Sequence, residues 1–228
     1  MRRERLHLLA RWGLITASLS ALLYLAAGTT HITSIRRYLL VFSALLLTTM
    51  LAVDPHLAKE RAHPRHPGID DGLRFAAGVL FLLTLAVAAA SVGRLRLNLS
   101  VPNSLREAAL IAFAFSGLLQ AWAMIVNPFF SPLVRLQTER GHRVIQHGPY
   151  RFMRHPGYFA MCAAVPTSAL AIGSWLALAP AAGFIAVIIR RAQLEDEFLT
   201  TNLRGYKTYA AFVPSGLPSR PRHVERKS

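Results

Sequence analysis

Residues 158–189, YFAMCAAVPTSALAIGSWLALAPAAGFIAVII, decide the fold. They form a run of 32 without one charged side chain. As a single helix at ~1.5 Å per residue the run would reach about 48 Å, well past a hydrocarbon core of about 30 Å. Gly173-Ser174 lies near its middle, and Pro166 and Pro180 interrupt the two halves. A hairpin of two short, kinked helices is the expected solution.

Working outward, further apolar runs of spanning length occupy residues 12–28, 37–53, 73–92 and 108–126. Each is close to the ~17–25 residues a helix needs to cross a bilayer. The expectation is an all-α fold, a polytopic membrane bundle of about six transmembrane helices. With 53% hydrophobic and only 16% charged residues, lipid rather than water is the natural solvent for this chain. The first run follows Arg2, Arg3, Arg5 and Arg11, as in a signal peptide. No small-residue cleavage site leading into a polar start follows, so it reads as a membrane helix.

The net charge of +15 does not point to nucleic acid, because the basic residues sit in short clusters between apolar runs. With six crossings and the N-terminus inside, 21 of the 26 Lys and Arg residues fall on the inner side. Only Arg36, Arg37, Arg94, Arg96 and Arg106 fall outside. The positive-inside rule then predicts both termini in the cytoplasm, and a hairpin rather than one crossing after Tyr158. Lysine is confined to Lys59, Lys207 and Lys227, and this preference for arginine suggests a GC-rich bacterial genome; the expected location is then a bacterial inner membrane. Cys162 is the single cysteine, which excludes an internal disulfide and any all-cysteine metal site. It reads as a small core residue.

Chemistry is expected in the connection before the hairpin, residues 127–158, NPFFSPLVRLQTERGHRVIQHGPYRFMRHPGY. Long ordered connections are more often functional than structural. Gly148-Pro149 sets a turn, and His155-Pro156 marks the boundary of the next helix. A basic, aromatic belt anchored to lipid headgroups is the competing reading of Arg143, Arg151 and Arg154. The tetrapeptide Arg154–Gly157 recurs at residues 65–68, without Gly-Pro-Tyr before it or an apolar helix directly after it. Alone, therefore, it signifies little. His56, His63 and His66 suggest a metal site less well than a solvated loop. After Arg190 the pattern changes: Leu194, Phe198, Leu199 and Leu203 recur at helical spacing beside Glu195, Asp196 and Glu197. This predicts a cytoplasmic C-terminal helix ending near Gly205, followed by a disordered basic tail over 219–228. The expected organisation is N-terminal membrane helices over 1–107 and a functional core over 108–218.

In combination and order, these motifs resemble the isoprenylcysteine carboxyl methyltransferase family, whose C-terminal core is related to that of phospholipid methyltransferases. The likeness rests on residues 54–61 after the second run, Gln137 to His142, the stretch 144–158, Glu195-Asp196-x-x-Leu199, and Leu203-Arg-Gly-Tyr206-x-x-Tyr209 with Val213 and Pro218. Asp196 stands where a second glutamate is usual. The resemblance implies an S-adenosyl-L-methionine-dependent methyltransferase acting on a lipophilic acceptor. It places Gln137, His142, Arg143, Val144, Ile145, Tyr150, His155, Pro156, Gly157, Tyr158 and Glu195 at the cofactor. It places Arg191 at the substrate, with Arg154 and His155 as candidate catalytic residues and no metal.

The residue chemistry is compatible with this. A carboxylate such as Glu195 suits an ammonium or ribose hydroxyls, and Arg143 or Arg154 suits a carboxylate. Tyr150 and Tyr158 offer faces for adenine or a sulfonium. A carboxylate or thiolate acceptor needs no general base, whereas an amine would need one, with His155 or Glu195 as candidates. No Gly-x-Gly occurs anywhere, so the soluble dinucleotide-type turn is absent. The rivals are a sterol-reductase-like enzyme binding NADPH and a non-enzymatic membrane scaffold. Few ionisable residues fall inside the spans, which argues against an ion path. The acceptor remains open between an isoprenylcysteine-like carboxylate, another lipophilic acid or thiol, and a lipid headgroup.

Overall fold

The computed structural model describes residues 2–54, 57–58, 61, 68–95 and 101–217, with side chains from Leu6 onward. Within these the chain is helical: α1 (Arg2–Ala27), α2 (Thr33–Ala52), α3 (Asp71–Val92), α4 (Asn103–Val126), α5 (Pro156–Ile172), α6 (Leu178–Asn202) and α7 (Tyr206–Phe212). Single 3-10 turns occur at Thr138–Arg140 and Gly148–Arg151. Four helices, α1 from Leu6 through α4, are long and apolar enough to cross a membrane. The chain is thus an integral membrane protein built as a polytopic helical bundle. The repeated tetrapeptide up to Pro67, His56, His63, His66, Lys59, Glu60, Arg96, Pro218 and the basic tail lie outside the described residues.

Side-chain placement follows from lipid as solvent. Leu14, Leu25, Leu40, Phe75 and Phe115 are each at least 67% exposed, as lipid-facing positions must be. The inner faces carry small residues such as Ala77, Ala88, Ala89, Ala121 and Ala123, which let backbones approach closely. Thr84, Ser91, Ser116 and Ser168 donate to the carbonyl four residues earlier in their own helices. Those hydroxyls therefore need no partner from lipid.

The hairpin forms, with a first helix of 17 residues but a second of 25 rather than a second short one. Gly173 closes α5 with φ 117°, a conformation that disfavours any side chain. A β-carbon there would also lie 2.8 Å from the Arg106 guanidinium. Ser174 Oγ donates to Ser91 Oγ at 3.0 Å, and Ser34 Oγ to the Ile172 carbonyl at 2.7 Å. These bonds tie the hairpin tip to α3 and α2.

Three details differ from expectation. Pro180 lies in the first turn of α6, where its missing N–H has no helical acceptor to serve, so it interrupts nothing. Residues 190–202 are not a separate helix but the continuation of α6, because nothing between Arg190 and Asn202 breaks it. The short separate helix is α7, set off by the left-handed Gly205 at φ 85°. Third, α2 and α4 begin about a turn earlier than the apolar runs, taking in Arg36, Arg37, Arg106 and Glu107. Arg37 and Glu107 pair across the two helix starts, so the charges need not lie outside the helices.

Candidate functional site

The connection is anchored to helix ends at several points. Asn127 caps the C-terminus of α4; its side-chain oxygen accepts from the Phe129 N–H at 2.9 Å, and its Nδ2 donates to Tyr150 Oη at 3.1 Å. Gly148 has φ 59°, and a β-carbon there would lie 2.9 Å from Val126. The close approach of the Gly-Pro-Tyr turn to α4 therefore requires glycine, and the turn carries Tyr150 into the interior.

His142 packs on the Phe129 ring, with centroids 4.6 Å apart. Its Nδ1 accepts the Gln137 N–H at 3.3 Å, so the neutral ring carries its hydrogen on Nε2. Burial, reinforced by Arg135 and Arg140 and opposed by Glu139, depresses its pKa to about 4. His142 is therefore a neutral donor at ordinary pH.

The adjacent carboxylates Glu195 and Asp196 are about 100° apart on α6 and face different surroundings. Glu195 lines the cavity described below. Asp196 faces the turn before α5: Oδ2 lies 2.8 Å from Arg154 Nη2, and Oδ1 takes His155 Nε2 at 2.9 Å and the Tyr206 hydroxyl at 2.6 Å. Burial alone would raise the Asp196 pKa; the His155 and Tyr206 hydrogen bonds and the Arg154 charge outweigh it and hold the carboxyl below its usual range. Three residues beyond Tyr206, the Tyr209 hydroxyl donates to the Tyr150 carbonyl at 2.6 Å. Burial pushes the Tyr209 hydroxyl up to about 12, so it stays protonated as a donor. The Tyr-x-x-Tyr spacing thus clasps α6 with one hydroxyl and the Gly-Pro-Tyr turn with the other. The backbone closes the same joint, Arg154 N–H donating to Pro214 and His155 N–H to Ser215.

Between these anchors lies a cavity of about 680 Å³. One end is polar, lined by His142, Arg143, Arg154, His155, Arg191 and Glu195, together with Val144, Ile145, Tyr150, Pro156, Gly157 and Tyr158. The other end runs down between the helices and is apolar, lined by Phe42 and Leu45 of α2, Phe81 of α3, Phe113 of α4, Met161 of α5 and Phe184 of α6. Tyr38 and Phe113, with ring centroids 4.9 Å apart, meet along it.

Gln137 is the one residue named from the sequence that does not line this space. It is fully buried, with Nε2 donating to the Phe129 carbonyl at 2.7 Å and Oε1 accepting from Arg140 at 2.6 Å. Both ends of its amide are committed to shaping the connection. Sequence reasoning missed Arg61, Phe130 and Gln120, which do line the cavity. Arg61 lies 5.1 Å above the Phe130 ring and donates to its carbonyl at 3.2 Å; burial first, then Arg11, lowers its pKa to about 10. For Arg61 the available signal was its place at the end of residues 54–61, the stretch after the second run that takes part in the resemblance. Among the described residues no cluster of His, Cys, Asp and Glu could hold a metal ion.

The model of the isoprenylcysteine carboxyl methyltransferase (ICMT) family matches residues 109–201. The likeness to that family is confined to residues 109–201, less than half of the chain. Over 91 residues the chain is 35% identical to a probable protein-S-isoprenylcysteine O-methyltransferase from Oryza sativa subsp. indica, and equally to one from subsp. japonica. It is 31% identical, again over 91 residues, to protein-S-isoprenylcysteine O-methyltransferase B of Arabidopsis thaliana. These matches cover 39% of this chain and 48% or 46% of the relatives, so the chain spans about half the length of the relatives it matches. The matched segment runs from α4 through most of α6 and includes the connection, Glu195 and Asp196. Arg61 before it and Tyr206 and Tyr209 after it come from outside the matched segment.

Proposed function

We propose that the protein transfers a methyl group from S-adenosyl-L-methionine to the carboxylate of a lipophilic acceptor of the isoprenylcysteine type. The observation that carries this reading is one cavity with two chemically different ends, a cationic, tyrosine-lined end and an apolar limb within the bundle. An acid bearing a long apolar tail needs both. The names of the relatives support the same acceptor chemistry.

The residues present suit the cofactor. Arg154 is 7% exposed, and its Nε is buried without a hydrogen-bond partner although Nη1 and Nη2 are engaged. Arg154 is thus committed to Asp196 and the Ala210 carbonyl, while Arg143 at the polar end offers a cation suited to a carboxylate. Glu195 offers a carboxylate to an ammonium or ribose hydroxyls, the neutral His142 a donor, and Tyr150 and Tyr158 aromatic faces. When bound, S-adenosyl-L-methionine would supply an electrophilic methyl group. The protein's part is to align an acceptor oxygen and exclude water, with Arg191 facing the acceptor. A carboxylate acceptor needs no proton removed, so His155, bonded to Asp196, acts by holding the turn in place. The polar end opens on the cytoplasmic side in this reading, consistent with the excess of arginine there.

Titration of the purified protein with S-adenosylhomocysteine and with NADPH tests the cofactor assignment, beside a Glu195→Ala variant. Binding of the former, weakened by the substitution, is expected. No binding, or binding untouched by the substitution, overturns it, and saturable NADPH binding instead would favour the reductase reading.

A further inference from the structure

Arg191 has a partner that its own helix cannot provide. Asp70, immediately before α3 and 121 positions away, is 2% exposed. Arg191 Nε donates to Asp70 Oδ2 at 2.7 Å, and Nη2 lies 2.5 Å from the same oxygen. Nη2 also donates to the Pro132 carbonyl at 2.7 Å. The second carboxylate oxygen, Oδ1, accepts the Val134 N–H at 3.0 Å. The Ile69 N–H reaches back to the Val134 carbonyl at 3.4 Å. A β-carbon at Gly68 would stand 2.9 Å from both Asp70 Oδ1 and Leu133 Cβ, so this approach depends on glycine. One buried carboxylate thus fastens the connection and the arginine of α6 together.

Asp70 does not line the cavity, whereas Arg191 does, with its guanidinium 5.5 Å from the centre of the Tyr158 ring. Stability alone is a weak account of this arrangement, because a buried ion pair is commonly no more stabilising than apolar residues of the same volume. We infer that Asp70 is a positioning residue, holding the Arg191 guanidinium beside Tyr158 so that it meets the carboxylate of the acceptor. This rests on the methyl-acceptor reading above. Asp70 and Pro132 engage only Nε and Nη2 of the guanidinium. Asparagine cannot replace the aspartate: both carboxylate oxygens accept, and an amide nitrogen would face either the Val134 N–H or the guanidinium, both donors.

The test is a double-mutant cycle on the full chain in lipid nanodiscs, using Asp70→Asn, Arg191→Gln and the pair. The acceptor probe is an N-acyl-S-prenylcysteine, with transfer read from labelled S-adenosylmethionine. Acceptor binding in the presence of S-adenosylhomocysteine reads the same coupling without turnover. Asp70→Asn is expected to raise acceptor KM and Kd about tenfold, leaving kcat within about threefold and S-adenosylhomocysteine affinity within about twofold. In the Arg191→Gln background the same substitution should add nothing. Arg191→Lys keeps the charge and lacks the fork, so it should match Asp70→Asn. It carries the test if Asp70→Asn fails to fold. Acceptor affinity at the wild-type level in Asp70→Asn or Arg191→Lys, or an undiminished effect of Asp70→Asn beside Arg191→Gln, overturns the inference. A wild-type protein that binds the acid without methylating it overturns the functional reading instead, and the binding cycle still judges Asp70.

Discussion

Asp196 Oδ2 lies 2.8 Å from Arg154 Nη2, joining the far part of α6 to the turn before α5 behind the cavity wall. Both side chains are well buried, 17% and 4% exposed. Truncation to Asp196→Ala leaves the Arg154 cation without its carboxylate, a loss of about 3–5 kcal/mol for a buried pair. Thermal unfolding in detergent micelles should show it, and Asp196→Glu should lose clearly less because the charge is retained. An Asp196→Ala protein as stable as wild type would contradict the central place given to this residue.

His142 sets a pH dependence. Its folded pKa of about 4 lies below the ordinary 6.5, so between these values the unfolded chain binds more protons. Stability from this group is complete above pH ~6.5 and is lost as pH falls towards 4. Melting temperatures measured across that window should decline. Replacing His142 with glutamine should flatten the slope, and an unchanged slope would count against a buried neutral imidazole.

Gly157 and Gly141 should respond to alanine for different reasons. At Gly157 a β-carbon would stand 2.5 Å from two atoms of the Phe130 ring, the ring that also carries Arg61. Overpacking of about 1–3 kcal/mol is expected, with weaker S-adenosylhomocysteine binding as the ring moves. At Gly141 nothing lies within 4 Å, but φ is 64°, so the strain is local, about 1–2 kcal/mol, and ligand affinity should hold. Titration of both variants separates the two mechanisms.

Tyr209→Phe removes one oxygen and leaves the buried Tyr150 carbonyl without the donor it takes at 2.6 Å. A loss of about 1–3 kcal/mol in unfolding free energy is expected. Unfolding of the Tyr209→Phe and Tyr206→Phe variants, read by intrinsic fluorescence, should both fall below wild type, because each hydroxyl serves a different anchor.

The sequence by itself was enough for the helical membrane architecture, the hairpin and the segments that line the cavity. Length against bilayer thickness forces the turn at Gly173, and the order of the motifs brings the connection and Glu195-Asp196 together. These are local properties, written in runs, spacings and residue types. Helical spacing does not say which of two neighbouring carboxylates faces the cavity, because a helix turns them about 100° apart; the resemblance pointed to Glu195, and packing turns Asp196 towards Arg154 instead. Gln137 sits within a plausible motif, yet its amide is consumed by Phe129 and Arg140. Asp70 lies in no motif. Its importance depends on Val134 and on Arg191, 121 positions away, and no periodicity along one chain segment records a hydrogen bond made across the fold.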